Sequence, residues 1–342
     1  MTGRASAPVP SLSVAFQSDK SPDAYAELGA LVEGYGFGTV SVYADLLFQP
    51  PLGPLLAIAG ATRRIRLGPA CLNPYTLHPV EIAGQIAYLD AASHGRAYLG
   101  LARGAWLDSL GIPQPHPVAA LREAVAVVRR LLRGERAPYR GRVFRLEDYH
   151  ALQYPVARPD VPVLLGGWGP RVAALAGEVA DELKVGGSAN PALAPVMRQR
   201  LAPGAARAGR AADDVGLVFG AVTVVAEDGA AARAPARREV ARYLPVVAGL
   251  DPTVAVEPDR LARVAQAVQR DDVAAAAALI PDDLLDRFAF AGNPRQLVVQ
   301  VEALLAAGAD RIEFGTPHGL TAREGLRLLG ERVLPAFRAG VG

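Results

Sequence analysis

The chain has 342 residues, 51% of them hydrophobic, and a formal net charge of +2 at pH 7. That hydrophobic content can supply the core of one large domain, and the near-balanced charge gives no case for a nucleic-acid partner. No stretch reaches the ~18 uninterrupted apolar residues of a membrane span, and a lone cysteine, Cys71, excludes an internal disulfide framework. We therefore expect a cytoplasmic protein without nucleic-acid or membrane partners, and a loose tail at residues 1–10.

Strand-like and helix-like segments alternate along most of the chain. The predicted strands are Ser11–Phe16, Thr39–Tyr43, Ile65–Gly68, Ala97–Leu101, Val161–Leu165, Glu182–Val185, Val215–Val225 and Arg311–Phe314. The predicted helices between them are Pro22–Gly34, Leu52–Ala61, His78–Ala92, Val118–Leu132, Arg171–Ala180, Ala192–Ala208 and Asn293–Ala307. Eight strands that alternate with helices predict an α/β fold, a (βα)8 or TIM barrel, in a single domain spanning residues 1–342.

Two segments are longer than a strand–helix unit requires. Residues 134–160 carry aromatic side chains among charges, and we predict a hairpin or lid there. Residues 230–288 are rich in alanine and mostly helical in pattern. We interpret this second segment as a helical insertion that covers the barrel mouth or packs against a partner subunit.

Irregular loops follow the third and fourth predicted strands. Pro69 and Asn73-Pro74 interrupt the chain after the third strand, and Gly100 to Gly104 opens the loop after the fourth. Binding and catalytic groups of (βα)8 barrels collect on the loops that follow strands. The two loops therefore predict a cofactor slot.

A glycine-rich turn, Gly166-Gly-Trp-Gly-Pro170, leads from the fifth strand into a helix. Glycines let a ligand approach the backbone, and the free N–H groups of a helix start favour a phosphate. We predict phosphate binding here, the alternative being an ordinary turn, and Trp168 would wall the pocket or pack on the barrel rim. After the last strand, Gly315 to Gly319 is predicted to be a loop that contacts the same ligand. His318 in it would touch substrate or lie in solvent.

Motifs of several other enzyme classes are missing. The chain has no Gly-x-Gly-x-x-Gly after its first strand, no Walker lysine and no Gly-x-Ser-x-Gly. Its five histidines are scattered without zinc spacing, so no metal ligand is predicted. Nucleotide-binding, hydrolase and metalloenzyme functions are therefore disfavoured.

With these features the chain resembles the bacterial luciferase-like superfamily of flavin and deazaflavin (βα)8-barrel oxidoreductases. Within it, the chain resembles in particular the methylenetetrahydromethanopterin reductases, which use coenzyme F-420 (F420), an 8-hydroxy-5-deazaflavin. The segments that carry the resemblance are Gly68–Pro74, Tyr88–Gly104, Gly166–Asp181, Val240–Gly292 and Gly292–Pro335. The resemblance implies F420 as the cofactor, FMN as the runner-up, a small-molecule substrate and a homodimer.

The resemblance also implies roles for individual residues. A non-prolyl cis peptide bond between Ala70 and Cys71 would bulge against the central ring of the deazaflavin, and Asn73 would hydrogen-bond near the ring edge. The further cofactor contacts would be Asp108, Gly167, Trp168, Gly169 and Arg171, and the substrate contacts would be Phe16, Tyr43, Arg103 and His318.

The chain departs from these relatives at three acid/base positions. Ala44-Asp45 stands where the relatives usually have Asp-His, Ala105 replaces an acidic residue, and Ala15 replaces a glutamate of the methylene-pterin reductases. Asp45 is the one residue of the three that can still exchange a proton, so it is our candidate catalytic residue. The alternative is a structural carboxylate bonded to the backbone.

This loss bears on the reaction. Reducing a cationic C=N bond requires only a hydride held within about 3–3.5 Å of its acceptor, whereas a neutral C=O or C=C also needs a proton donor. We predict an F420-dependent reductase that transfers a hydride to a small iminium or pterin-like acceptor without an enzyme acid, or with Asp45 as donor. The alternatives are an FMN-dependent monooxygenase, a flavin-independent methylenetetrahydrofolate reductase that uses NADH, and a non-catalytic ligand-binding paralogue.

Overall fold

A computed structural model describes residues 11–338, and the tail predicted at residues 1–10 lies outside them. The strands are β1 (Ser11–Phe16), β2 (Thr39–Val42), β3 (Arg66–Pro69), β4 (Leu99–Ala102), β5 (Tyr139–Arg140), β6 (Arg145–Leu146), β7 (Val163–Gly166), β8 (Glu182–Gly186), β9 (Gly216–Val225), β10 (Ala289–Gly292) and β11 (Arg311–Gly319). The helices are α1 (Pro22–Tyr35), α2 (Leu52–Ala61), α3 (Pro79–Ala92), α4 (Pro117–Leu132), α5 (Pro170–Val179), α6 (Leu193–Arg207), α7 (Gly229–Val247), α8 (Pro258–Gln269), α9 (Val273–Ala278), α10 (Asp282–Phe288), α11 (Pro294–Ala306) and α12 (Ala322–Leu328).

The parallel strands close into a barrel in the order β3, β2, β1, β11, β9, β8, β7, β4. Bridges between Leu67 and Ala97 and between Leu72 and Leu101 join β3 to β4 and complete the ring. Glycine is needed at this seam, because a β-carbon on Gly100 would lie 2.0 Å from the carbonyl oxygen of Pro69. The (βα)8 barrel predicted from the alternation of strands and helices is confirmed.

Two strand predictions around β9 were wrong. Gly315–Gly319 was predicted as a loop, but β11 continues to Gly319 with a register shift between Gly315 and His318. The ten-residue β9 causes this extension, because its second half offers a pairing edge beyond Phe314. β10 was not predicted. It pairs with the second half of β9, on the edge opposite β11. That edge is open there because β8 pairs only with the first half of β9.

The two long segments form the additional structure around the barrel. β5 and β6 pair as an antiparallel hairpin within residues 134–160. The buried carboxylate of Glu123 on α4 accepts backbone N–H groups of Arg142, Val143 and Phe144 at 2.8–2.9 Å, which fixes the hairpin on the barrel wall. Helices α7 to α10 span residues 229–288 and thus occupy the second long segment. No helix in the part of the chain that the structure describes is long and apolar enough to cross a membrane.

Side chains alternate between the two faces of the barrel wall. Val14, Val42, Leu67, Leu101 and Phe314 point outward and are fully buried beneath the surrounding helices. The residues between them point into the barrel, where several are polar or charged. The hydrophobic core therefore surrounds the barrel, and the polar groups lie inside it.

Candidate active site

Five barrel strands carry a glycine at an inward-facing position, at Gly100, Gly166, Gly186, Gly220 and Gly315. A β-carbon on Gly186 would meet nothing within 4 Å, so this position borders open space. A β-carbon on Gly220 would lie 3.3 Å from Cε of Lys184. The open space at Gly186 forms a recess in the barrel mouth, and longer side chains from the layer below form its floor.

Lys184 and Glu313 form a buried ion pair in this floor. The Lys184 side chain is 7% exposed and that of Glu313 is fully buried. The Lys184 ammonium group lies 5.3 Å from the centre of the Tyr43 ring. The hydroxyl of Ser41 donates a hydrogen bond to the other carboxylate oxygen of Glu313. Both charges are thus held in fixed positions beneath the recess.

Further polar groups support this pair from below. The Arg311 guanidinium donates to both carboxylate oxygens of Glu182, at 3.1 and 2.7 Å, and to the hydroxyl of Ser13 at 3.0 Å. It also lies 3.5 Å from Glu313. Burial alone would raise the pKa of Glu313, but the charges of Lys184 and Arg311 more than offset that effect and hold it below its ordinary value. Glu313 therefore stays ionised.

Two side chains of the recess are reached by solvent although protein surrounds them. Cys71 is partly exposed, yet burial raises the pKa of its thiol to about 11. Tyr43 is also partly exposed, and burial, reinforced by the charges of Glu313 and Asp45, raises its pKa well above the ordinary value. This combination is typical of a concave site. Both groups are protonated at neutral pH.

Asp45 lies at the rim of the recess, on the loop after β2. Its carboxylate is exposed and accepts a hydrogen bond from the Gln17 side chain at 3.1 Å. Burial by the surrounding walls raises its pKa, against the opposing effects of the Gln17 hydrogen bond and the Lys184 charge. No backbone N–H donates to this carboxylate within residues 11–338, so the structural alternative finds no support. A carboxyl group of raised pKa suits proton donation.

The loop after β3 forms one side of the recess. The peptide bond between Ala70 and Cys71 is cis, as predicted. The Cys71 sulfur lies 3.2 Å from the place that a β-carbon on Gly166 would take. Asn73 is buried, and its side-chain oxygen accepts the N–H groups of Tyr75 and Thr76 at 3.1 and 2.9 Å. Its oxygen therefore shapes the loop, and the predicted ring contact falls to its amide nitrogen.

The start of α5 lies near this loop, directly after β7. Gly169 precedes the helix, and a β-carbon there would meet nothing within 4 Å. The N–H groups of Arg171 and Val172 lie in the first turn, where helical geometry gives them no partner. At Gly167 a side chain is excluded, because its β-carbon would lie 2.6 Å from Val172. This helix start has the open, N–H-lined form that a phosphate requires.

Trp168 packs on the barrel rim, which is the second of its two predicted placements. Its ring is 7% exposed, and the indole N–H donates to the carbonyl oxygen of Gly186 at 3.0 Å. The guanidinium of Arg200 donates to the Trp168 carbonyl oxygen at 2.6 Å. These bonds tie the ends of β7 and β8 together and fix the turn that leads into α5.

The remaining predicted contacts lie in two different environments. Phe16 and His318 are buried and stack edge to face at 5.6 Å, and His318 Nε2 lies 3.1 Å from the carbonyl oxygen of Ala15. Burial lowers the pKa of His318 to about 4, so the ring is neutral. Both placements favour a structural role over substrate contact. Arg103 and Asp108 are exposed on the loop after β4, where Asp108 accepts a 3.3 Å hydrogen bond from Gln114.

Sequence reasoning missed Lys184 and Glu313. The sequence does hold a pattern that could have revealed them, since each is a charged residue at an alternate position of an apolar strand, in Glu-Leu-Lys-Val-Gly and Arg-Ile-Glu-Phe-Gly. Opposite charges on two inward faces of a closed barrel predict a buried pair.

Comparison with known proteins identifies the family. The family model described as luciferase-like monooxygenase matches residues 6–311. The chain belongs to this family. Among its relatives, the 5,10-methylenetetrahydromethanopterin reductase of Methanopyrus kandleri is 28% identical, and the match covers 96% of this chain and 99% of the relative. The F420-dependent glucose-6-phosphate dehydrogenase of Nakamurella multipartita is 27% identical over 94% of each chain.

Two solved structures share the fold. The coenzyme F420-dependent tetrahydromethanopterin reductase of Methanopyrus kandleri superposes with a TM-score of 0.87 at 27% identity, covering 96% of this chain and 99% of that one. An F420-dependent secondary alcohol dehydrogenase superposes with a TM-score of 0.79 at 20% identity, covering 96% and 99%. The second likeness shows the fold alone.

Proposed function

We propose that this chain is an F420-dependent oxidoreductase that transfers a hydride between the deazaflavin and a small organic substrate. The observation that carries the proposal is the mouth of the barrel, where Gly186 borders open space, Cys71 and Tyr43 are partly exposed, and Asp45 has a raised pKa. The first turn of α5, with its unpaired N–H groups, follows the neighbouring strand β7 and supports a phosphate site there. The similarity to F420-dependent reductases and dehydrogenases over nearly the whole chain supports the choice of cofactor.

The residues present fit this cofactor. Gly186 borders open space in which a planar ring system would lie, and Gly169 with the first turn of α5 offers N–H groups to the phosphate. The free amide nitrogen of Asn73 would serve the ring edge, and Arg171 would add charge beside the phosphate. When bound, the deazaflavin supplies or accepts the hydride, while Asp45 holds the proton that a neutral acceptor requires.

The test is a titration of the purified chain with F420, FMN and NADH, followed by absorbance and fluorescence, with oxygen uptake measured in parallel. Tight binding of F420 without oxygen uptake is expected. Tight FMN binding with oxygen uptake would overturn the proposal in favour of a monooxygenase. Binding of NADH alone would favour the flavin-independent reductase.

A glycine substitution tests the location of the ring site. We expect Gly186→Leu to keep the thermal stability of the chain within a few degrees, because its side chain would enter open space. The leucine should lower the affinity for F420 by at least about tenfold, or about 1.4 kcal/mol. The matched control Gly186→Ala adds only one carbon and should bind the cofactor almost normally. Equal F420 affinity in the leucine variant and the wild type would place the ring elsewhere.

We also propose that the protein acts in the cytoplasm as a homodimer that forms through α2 and α3. Every residue of α2 is apolar, including Gly53 and Gly60 on its exposed side. Tyr88 on the neighbouring α3 is 62% exposed. A helix without a polar face is unusual at a free surface, and a second copy of the chain would cover it.

The proposed dimer is tested by introducing a negative charge on the exposed side of α2. We expect Gly60→Glu to shift the chain from dimer to monomer in sedimentation, because the carboxylate would be buried against the partner. Helix α2 tolerates the change, since a β-carbon on Gly60 meets nothing within 4 Å and glutamate favours helices. Val299→Glu, on the 64% exposed side chain of α11, is the control and should leave the mass unchanged. A dimeric Gly60→Glu variant would exclude this interface.

A further inference from the structure

The floor of the recess presents hydrogen-bond donors. Lys184 gives one N–H to Glu313, and its ammonium group has two more. Tyr43 stands beside it, and within residues 11–338 its hydroxyl makes no hydrogen bond. The hydroxyl reaches across the barrel toward β11, 2.7 Å from the place that a β-carbon on Gly315 would take. The Lys184 ammonium group, 5.3 Å from the centre of the Tyr43 ring, and the Tyr43 hydroxyl are thus two donors of different chemistry at the bottom of the site.

We propose, on the basis of the hydride transfer proposed above, that the substrate is an aldehyde or ketone whose carbonyl oxygen accepts hydrogen bonds from Lys184 and Tyr43. Lys184 is then a catalytic residue, and Glu313 is a positioning residue that holds its ammonium group in place. The substrate oxygen would be directed at the floor, and its carbon would lie above it, facing the ring site.

The donor set selects this class of substrate over an iminium. A carbonyl oxygen has lone pairs for both donors, and it gains negative charge when its carbon accepts a hydride. An iminium nitrogen carries a positive charge and no lone pair, so it gains nothing from either donor. The charged groups facing the floor are Lys184 and Glu313 from the barrel wall and Asp45 at the rim, with the neutral thiol of Cys71 beside them.

The chemical step balances as follows. The carbonyl carbon would accept the hydride that a bound, reduced deazaflavin supplies, forming a C–H bond, and the π pair of the C=O bond would move to oxygen. Lys184 and Tyr43 would stabilise that oxygen, and the Asp45 carboxyl group, two residues along the chain from Tyr43, would give it a proton. The products would be an alcohol, the cofactor oxidised by two electrons and an Asp45 carboxylate, which takes up a proton from water.

The experiment compares wild type with two variants. Tyr43→Phe removes only a hydroxyl that has no partner in the described chain, so the fold is retained. Lys184→Met/Glu313→Gln removes the ion pair as a unit and leaves no unpaired charge in the barrel. The control is Arg66→Met, a 41% exposed guanidinium 3.7 Å from Glu182 at the opposite end of the same polar network.

Two readouts are used. The first is single-turnover oxidation of reduced F420 by a panel of small aldehydes and ketones and by a cyclic iminium salt. The second is calorimetric binding of a primary amide, a carbonyl analogue that is not reduced, with and without cofactor. We expect carbonyl reduction in the wild type, a loss of about 100-fold or more in the double variant and a smaller loss in Tyr43→Phe. The affinity for the amide should weaken at least about tenfold in both Tyr43→Phe and the double variant, while their affinity for F420 stays unchanged. Arg66→Met should match the wild type in carbonyl reduction, amide binding and F420 binding.

The outcomes distinguish failure of the carbonyl-substrate inference from failure of the proposed F420-dependent function. Faster reduction of the iminium than of every carbonyl, or wild-type carbonyl reduction in the double variant, would overturn the inference while F420 dependence stands. Failure of the wild type to bind F420 would overturn the proposed function. In that case amide binding to the cofactor-free chain still tests whether Lys184 and Tyr43 bind a carbonyl oxygen. Equal amide affinity in the wild type and both variants would refute that binding site.

Discussion

Asp45→Asn is expected to lower the rate of hydride transfer to a neutral acceptor by about 100-fold or more at neutral pH. The amide keeps the size and the hydrogen bond to Gln17 but has no proton to give. Rapid mixing of the variant with reduced F420 and substrate measures the effect. Binding of the cofactor should stay unchanged, because the loss concerns only the transition state.

The dependence of the hydride-transfer rate on pH provides a second test of Asp45 as the proton donor. The carboxyl group donates in its protonated form, so the wild-type rate should be highest at low pH and fall as pH rises through the raised pKa of Asp45. Asp45→Asn should lack this limb. In Gln17→Leu the limb should move to higher pH, because the hydrogen bond that lowers the pKa of Asp45 is lost. Turnover of Asp45→Asn equal to wild type across the pH range would exclude Asp45 as the donor.

Arg311→Met is expected to destabilise the fold by about 3–5 kcal/mol at pH 7. The guanidinium is 2% exposed and lies between the carboxylates of Glu182 and Glu313, at 2.7 and 3.5 Å. Its removal leaves two buried negative charges, balanced by Lys184 beside Glu313 and by the partly exposed Arg66 at 3.7 Å from Glu182. Urea unfolding followed by circular dichroism measures the free energy of unfolding.

The free energy of unfolding should depend on pH in opposite ways in the wild type and in Arg311→Met. In the wild type, Arg311 and Lys184 hold the pKa values of Glu182 and Glu313 below the ordinary value despite burial. These groups therefore stabilise the fold above their unfolded pKa, and this contribution is lost as pH falls through the folded pKa. In Arg311→Met the pKa values of Glu182 and Glu313 rise, so both carboxylates take up protons more readily as pH falls. The difference in the free energy of unfolding between the variant and the wild type should therefore shrink from pH 7 to pH 5. Arg66→Met, the exposed control, should cost less than about 1 kcal/mol, and an equal cost for both variants would argue against a buried network.

Most of the barrel could be predicted from the sequence, because its outward-facing residues follow a strict alternation. Val14 and Val42, for example, alternate with inward residues and are fully buried. β10 escaped prediction because Ala-Phe-Ala-Gly is too short to differ from the end of helix α10. The strand character of Gly315–Gly319 arises only from pairing with β9, a contact nearly a hundred residues distant in sequence.

The local backbone around the candidate site could be predicted where it depends on the nearby chain and its resemblance to relatives. The glycine turn before α5 and the loop around Asn73 occupy the positions expected of them. The burial of His318 could not be foreseen, since it depends on a carbonyl oxygen of β1. The meeting of Lys184 with Glu313 depends on strands 129 residues apart in sequence.

The sequence by itself determined the barrel, the irregular loops at its mouth and Asp45 as the one acid left at the three altered positions. These features follow from periodicity, turn residues and side-chain chemistry, which act over a few residues of chain. Only the tertiary structure decided which charges face one another inside the barrel and which side chains border open space. Barrel closure brings the inward positions of β2, β8 and β11 together, and their burial and pairing then fix the charges that the recess presents to a ligand.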